Sequence, residues 1–177
     1  MVVPIMLVGF FGTVEISSAV AVDRKVTIMA RTLSDLASQS TWVNTTATDN
    51  FFAAATAIMT PYPAASPAPL QATLSELYVD PNSHAARVQW SVGHSPHTAG
   101  TTIPIPSDLA VGGTYLIYSE VNYQYAPLGS SGSFGVGYVM KSALTLSDVA
   151  FTRPRQSLCV LWSNTGTVPV GAPCPTS

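Results

Sequence analysis

Residues 1–22 hold a single charge, Glu15, and from Thr13 the run passes into Asp23, Arg24 and Lys25 and an amphipathic stretch with no Gly or Pro to stop a helix. At 1.5 Å per residue the apolar part would be about 33 Å long, which matches the roughly 30 Å hydrocarbon core of a bilayer. Such a segment needs lipid, a protein core or removal as a signal, and whichever applies limits everything that follows it.

The amphipathic continuation is regular. Val22, Val26, Met29, Leu33 and Leu36 are spaced four, three, four and three, with Asp23, Arg31, Asp35 and Gln39 mostly off that stripe. Arg31 and Asp35 form an i,i+4 pair worth only a few tenths of a kcal/mol, so the stripe must hold the segment against something else. Pro4 suits a first turn, where its missing N–H costs little. One helix over about 3–38 is predicted, membrane-embedded first and packed on a surface or partner afterwards. Two other readings compete with the anchor. Ala19-Val20-Ala21 offers a signal-cleavage pattern, yet no Lys or Arg precedes the apolar run, Glu15 lies inside it and the helical period continues past the cut. A buried core helix is the second, although charged residues are only 9% of the chain and its mean hydropathy is +0.31.

After the helix the period changes to two. Residues 39–69 are rich in Thr, Ser, Ala and Pro, with a short helix expected from Asp49 as N-cap through Met59, and Pro61, Pro63, Pro67 and Pro69 as a stiff connector. Residues 70–177 are then expected to form an antiparallel β domain. Strand 84–92 would turn Ala86, Val88, Trp90 and Val92 to one face and pair with strand 70–79 across Asp80-Pro81-Asn82-Ser83. A strand over 114–125 alternates Tyr115, Ile117, Ser119, Val121, Tyr123 and Tyr125. It should pair with roughly 136–151 across the Gly/Ser run 129–133, and a last short strand is expected over 157–162. With no long helix between strands the sheet should be antiparallel, and the fold class α+β, with the amphipathic part of the first helix on the face carrying Ala86, Val88 and Trp90.

Cys159 and Cys174 would close a loop of about 15 residues, worth roughly 3 kcal/mol as a disulfide in an exported domain. The alternative is two buried thiols. Signals for catalysis are weak. The nine acids are scattered, the serines lie in no Gly-x-Ser-x-Gly elbow, and residues 132–137 lack the Gly-x-Gly-x-x-Gly order. His94 and His97 flank Pro96 with no acid or Cys beside them in sequence, which reads as a solvated loop. Asn44-Thr45-Thr46 is a formal glycosylation sequon. Seven Lys plus Arg and a pI near 5.8 give no basic footprint for nucleic acid. The expectation is therefore a non-enzyme without cofactor, metal or small-molecule substrate.

Pro4-Ile5-Met6-Leu7-Val8-Gly9-Phe10-Phe11-Gly12-Thr13-Val14-Glu15 resembles the apolar segment of TadE-like proteins of bacterial tight-adherence (Flp) pilus systems, where a Pro and several aliphatics precede Gly-x-x-Glu. The continuation from Ala21 to Leu36 is similar to the stalk of such proteins, and Glu120-Val121-Asn122-Tyr123-Gln124-Tyr125-Ala126-Pro127 and Arg153-Pro154-Arg155 resemble their strand-and-tail pattern. The resemblance implies a pseudopilin-like minor component supporting pilus assembly. Its partners would be the membrane and other pilin-like subunits or assembly proteins, and its globular domain would lie outside a bacterial inner membrane, in the periplasm or at the cell surface. Glu15, Val22, Val26, Met29, Leu33 and Leu36 would then be the assembly helix.

Members processed like prepilins carry a basic leader, a Gly cleavage site and a Glu five residues into the mature chain. No such arrangement precedes the apolar run here, so Glu15 matches the later Gly-x-x-Glu glutamate. The expectation is either an unprocessed member or a longer precursor starting upstream of Met1. Arg24 and Lys25 flank the far end of the helix, and a basic leader would resolve the orientation they leave open. Glu15 would cost about 2.5 to 3.5 kcal/mol at mid-membrane, so it should lie toward the interface or meet a partner group. The alternative function is a membrane-anchored or secreted binding domain, an adhesin using Trp90, Tyr115, Tyr123 and Tyr125.

Overall fold

The computed structural model describes residues 2–62, 70–126, 144–167 and 172–176. The Gly/Ser run 129–133, the first part of the strand expected over 136–151, and Pro63, Pro67 and Pro69 lie outside them. The first helix, α1 (Val3–Ser38), runs unbroken for 36 residues. A two-residue strand β1 (Trp42–Val43) leads to α2 (Thr45–Ile58). This second helix starts earlier than expected, because Asn44 and not Asp49 is its N-cap. Asn44 has an extended backbone and its side-chain oxygen accepts from the Ala47 N–H at 2.8 Å. The buried Thr48 turns its hydroxyl back onto the carbonyls of Asn44 and Thr45, which lets a Thr-rich run stay helical.

Five strands form an antiparallel sheet in the order β4-β3-β2-β5-β6: β2 (Leu70–Val79), β3 (Ala86–Gly93), β4 (Thr102–Ile103), β5 (Tyr115–Tyr125) and β6 (Leu144–Thr152). The layout is α+β. Asp80 shapes the β2–β3 turn by accepting from the N–H groups of Asn82 and Ser83 at 2.8 Å each. Within this hairpin Glu76 lies opposite Trp90 while Leu77 lies opposite Val88, so Gln89 is an extra residue and makes a β-bulge. The expected single face of β3 is therefore divided. Ala86 and Val88 pack with Leu77, Val79 and Leu116 under Ile103 on one side of the sheet. Trp90 packs with Leu74 and Ile117 on the other.

Helix α1 lies on the Trp90 side but over β5 and β6. Val22, Val26, Met29 and Leu33 join Val121, Tyr123 and Tyr125 in one core with Ala55 and Met59 of α2, and Ser119 donates to the Ala30 carbonyl at 2.6 Å. The stripe thus packs away from Ala86 and Val88, which the bulge sends to the opposite face. Leu36 is only half-buried and lines a recess with Arg31 and Asp35, whereas Ala37 enters the core. The cause is geometric: a stripe of period 3.5 drifts about 20° per heptad around a straight helix of 3.6, so its last member leaves the contact line. Asp35 bonds Arg155 at 2.5 Å and the Gln39 amide at 2.8 Å; the Arg31 pairing expected for it is not formed.

Beyond β6 the chain returns as a strap across the helix-bearing face. The Arg155 N–H donates to the Ser38 carbonyl at 2.8 Å, and the strand expected over 157–162 is reduced to β7 (Leu161–Trp162). It pairs in parallel with β1, forming a two-stranded sheet outside the main one. A parallel pair is possible because the whole sheet domain intervenes as the crossover. Cys159 and Cys174 are bridged, with Cα atoms 5.9 Å apart, and the Tyr115 hydroxyl donates to the Pro175 carbonyl at 2.7 Å.

Candidate functional site

Helix α1 divides into two halves with different surroundings. Its first half is apolar and exposed all round: Ile5, Met6, Val8, Phe10 and Ile16 each leave most of their surface uncovered. From Val22 onward the inward face is fully buried against the sheet and α2. The helix is long and apolar enough to cross a membrane or to serve as a signal sequence. Val22, Val26, Met29 and Leu33 are covered by the chain's own sheet and α2, Leu36 is half-covered, and Glu15 sits where the two halves meet.

The polar groups near that junction turn inward. Tyr125, the last residue of β5, donates its hydroxyl to the Glu15 carboxylate at 3.1 Å. Thr13 and Ser17 return their hydroxyls to the carbonyls of Gly9 and Thr13 on α1 itself, at 2.8 Å each. Lys25 donates to the carbonyls of Ile58 and Thr60 at 2.7 Å each, with its ammonium 5.8 Å from the centre of the Tyr62 ring. It thereby closes the C-terminal end of α2, where free carbonyls and the helix dipole favour a cation. Neither partner was evident from sequence. The only advance signal for Tyr125 was the alternation that put it on the same face as Tyr123 and Val121.

Polar clusters lie elsewhere on the sheet. The Glu76 carboxyl is fully buried beneath the strap, with one oxygen accepting from the Val160 N–H at 2.5 Å and the other without a hydrogen-bond partner among the described residues. The Trp90 indole donates to the Val160 carbonyl at 2.7 Å, so β2 and β3 grip one strap residue on both sides of its backbone. Burial pushes the Glu76 carboxyl up to about 8, against the opposing pull of the Val160 N–H and the Trp90 indole. On the opposite face His97 approaches Glu120 at 3.4 Å and lies beside the Tyr118 ring, the half-buried member of a loop that is exposed at His94 as expected. Burial, with the Glu120 charge adding to it, pushes the Tyr118 hydroxyl up to about 12.

His94 is separate from that pair. It borders a groove of about 490 Å³ between α2 and the β2–β3 strands, together with Asp49, Phe52 and Trp162. Among the described residues no group of three His, Cys, Asp or Glu side chains is placed to hold a metal ion. Compared with protein-family models, curated proteins and solved structures, the chain matches none.

Proposed function

We propose that this chain is a non-enzymatic, membrane-anchored pilin-like subunit that supports assembly of a tight-adherence pilus. The observation that carries the reading is the division of α1 into a half exposed and apolar on every side and a half built into the sheet domain. An all-round apolar helix is stable in lipid and can exchange lipid for equivalent apolar neighbours in an assembly. The TadE-like pattern ending in Gly12-Thr13-Val14-Glu15 lies on that exposed half. The strap and its disulfide suit a domain outside the cytoplasm.

The test is genetic and biochemical. Cells lacking the chain should lose surface pili and regain them with the full chain, but not with a chain in which Ile5, Met6 and Val8 are replaced by Ser. Unchanged pili in the deletion strain overturn the assembly role. Trp90, Tyr115, Tyr123 and Tyr125, the aromatics expected to form a binding face, are all buried, so a second reading, an anchored or secreted binding domain, would instead use the groove beside Asp49 and Trp162, whose size falls in the range of ligand sites. That reading requires Asp49→Ala to abolish adhesion while leaving pili intact.

A further inference from the structure

We infer that the end of the sheet carrying Tyr125 and Leu144 is itself seated in the membrane interface, with lipid reaching up the outer face of α1 as far as Val20. The inference rests on the membrane-anchored reading and adds a second lipid-contacting surface, supplied by the globular domain.

As the first charge along α1, Glu15 would ordinarily mark where water begins. Its carboxylate is instead answered from within the chain by the Tyr125 hydroxyl. Beyond it the outward face stays apolar, with Ile16 63% and Val20 48% exposed, and the first exposed charges are Asp23 and Arg24. The hydroxyls of Thr13 and Ser17 are satisfied by the helix backbone, as a lipid environment demands of every polar group, and Lys25 is turned away onto α2. A water boundary at Glu15 would leave Ile16 and Val20 in solvent without reason. A boundary between Val20 and Asp23 accounts for all of these groups together.

That boundary has a consequence for the sheet. Eight residues of helix separate Glu15 from Asp23, about 12 Å along the axis, whereas the polar layer on one side of a bilayer is only about 5 to 7 Å deep. With the top of that layer at Val20, about 7.5 Å along the axis from Glu15, the Glu15–Tyr125 contact lies at the edge of the hydrocarbon and Asp23 and Arg24 stand in water. Tyr125 is paired across the sheet with Leu144, which is 51% exposed and is presented to the same layer. The occupant this surface fits is a phospholipid bilayer. Tyr125 is itself only 7% exposed, so its hydroxyl holds Glu15 from within while Leu144 and the outward face of α1 supply the lipid contact.

The full chain, reconstituted in vesicles of phosphatidylcholine and phosphatidylglycerol, would carry one nitroxide label at a time on Ile5→Cys, Ile16→Cys, Leu144→Cys or Val111→Cys. The native cysteines are bridged, and Val111 is an exposed site at the far end of β5. Relaxation by oxygen and by a water-soluble nickel chelate reports depth. The expected result is an oxygen-to-chelate ratio at positions 16 and 144 several-fold above that at 111 and below that at 5. A label at 144 as open to the chelate as one at 111, with position 5 deep in lipid, overturns the seated sheet and leaves the anchor standing. A label at 5 that is also aqueous overturns the anchor itself.

Discussion

Glu76 contributes to stability in the sense opposite to most carboxylates. Its folded value, near 8, is raised above the ordinary 4.5, so the folded state holds a proton that the unfolded state releases between those values. The stability contributed by the neutral, buried carboxyl is fully present below about pH 4.5 and is lost as the pH rises through about 8. Melting temperatures should therefore fall between pH 5 and pH 9, and Glu76→Gln should flatten that difference relative to the parent chain; an unchanged slope in the variant would count against the assignment. A second residue-level expectation concerns the strap. Cys159→Ser should lower unfolding free energy by roughly 2 to 5 kcal/mol in denaturant titrations, the range for bridges in small exported domains. The Glu76 and Trp90 bonds to Val160 should keep the strap docked in the variant, so tryptophan emission, to which Trp90 and its neighbour Trp162 contribute, should stay native-like before the unfolding transition. The Cys159–Cys174 pairing was legible because two cysteines allow one bridge. The strap's contact with Glu76 was not legible, because it joins residues 84 apart and leaves no local periodicity.

At the scale of elements, α1 and β5 were readable from period alone. From Val22 on, α1 has no Gly or Pro and buries one stripe, and β5 alternates buried and more open residues from Ser119 to Tyr125, although Tyr115–Ser119 are buried on both faces, which alternation alone does not record. The β3 face was misread because a bulge changes the phase of the alternation without leaving a Gly or Pro to announce it; Gln89 looks like any outward polar residue. The start of α2 was misplaced because Thr45, Thr46 and Thr48 have low helix propensity, while in the fold the Thr48 hydroxyl is absorbed by the preceding turn. The stripe supplies a direct comparison. Leu33→Asp should unfold the domain, placing an unpaired charge in a closed core at a cost of several kcal/mol, whereas Leu36→Asp should shift the melt by well under half as much because Leu36 already borders solvent. Equal effects at the two positions would mean that the stripe packs differently from the arrangement described.

Taken as a whole, the molecule places the border between the exposed apolar half of α1 and the folded domain nearer its N-terminus than charge alone indicates. The first exposed charges are Asp23 and Arg24, but Val22 is core and Ala19 packs against it. A chain beginning at Ser18 should leave the membrane fraction on carbonate extraction and melt cooperatively. One beginning at Asp23 should also be soluble but lose about 1.5 to 3 kcal/mol with the missing Val22 side chain. Retention of the Ser18 chain in membranes would show that the domain surface binds lipid strongly without the helix. The parallel pairing of β1 with β7 has a bearing on biogenesis. Residues 42–43 find their partners only at 161–162, and Ser38 waits for Arg155, so neither end of the domain can close before nearly all of the chain is present. During synthesis the inward stripe of α1 emerges long before β5 and β6 exist to cover it. The nascent protein therefore passes through a stage in which its helix is greasy over its full length. In the proposed membrane-anchored role its shelter in that interval is the bilayer, and folding becomes a withdrawal of half a helix from the membrane surface onto a late-arriving sheet.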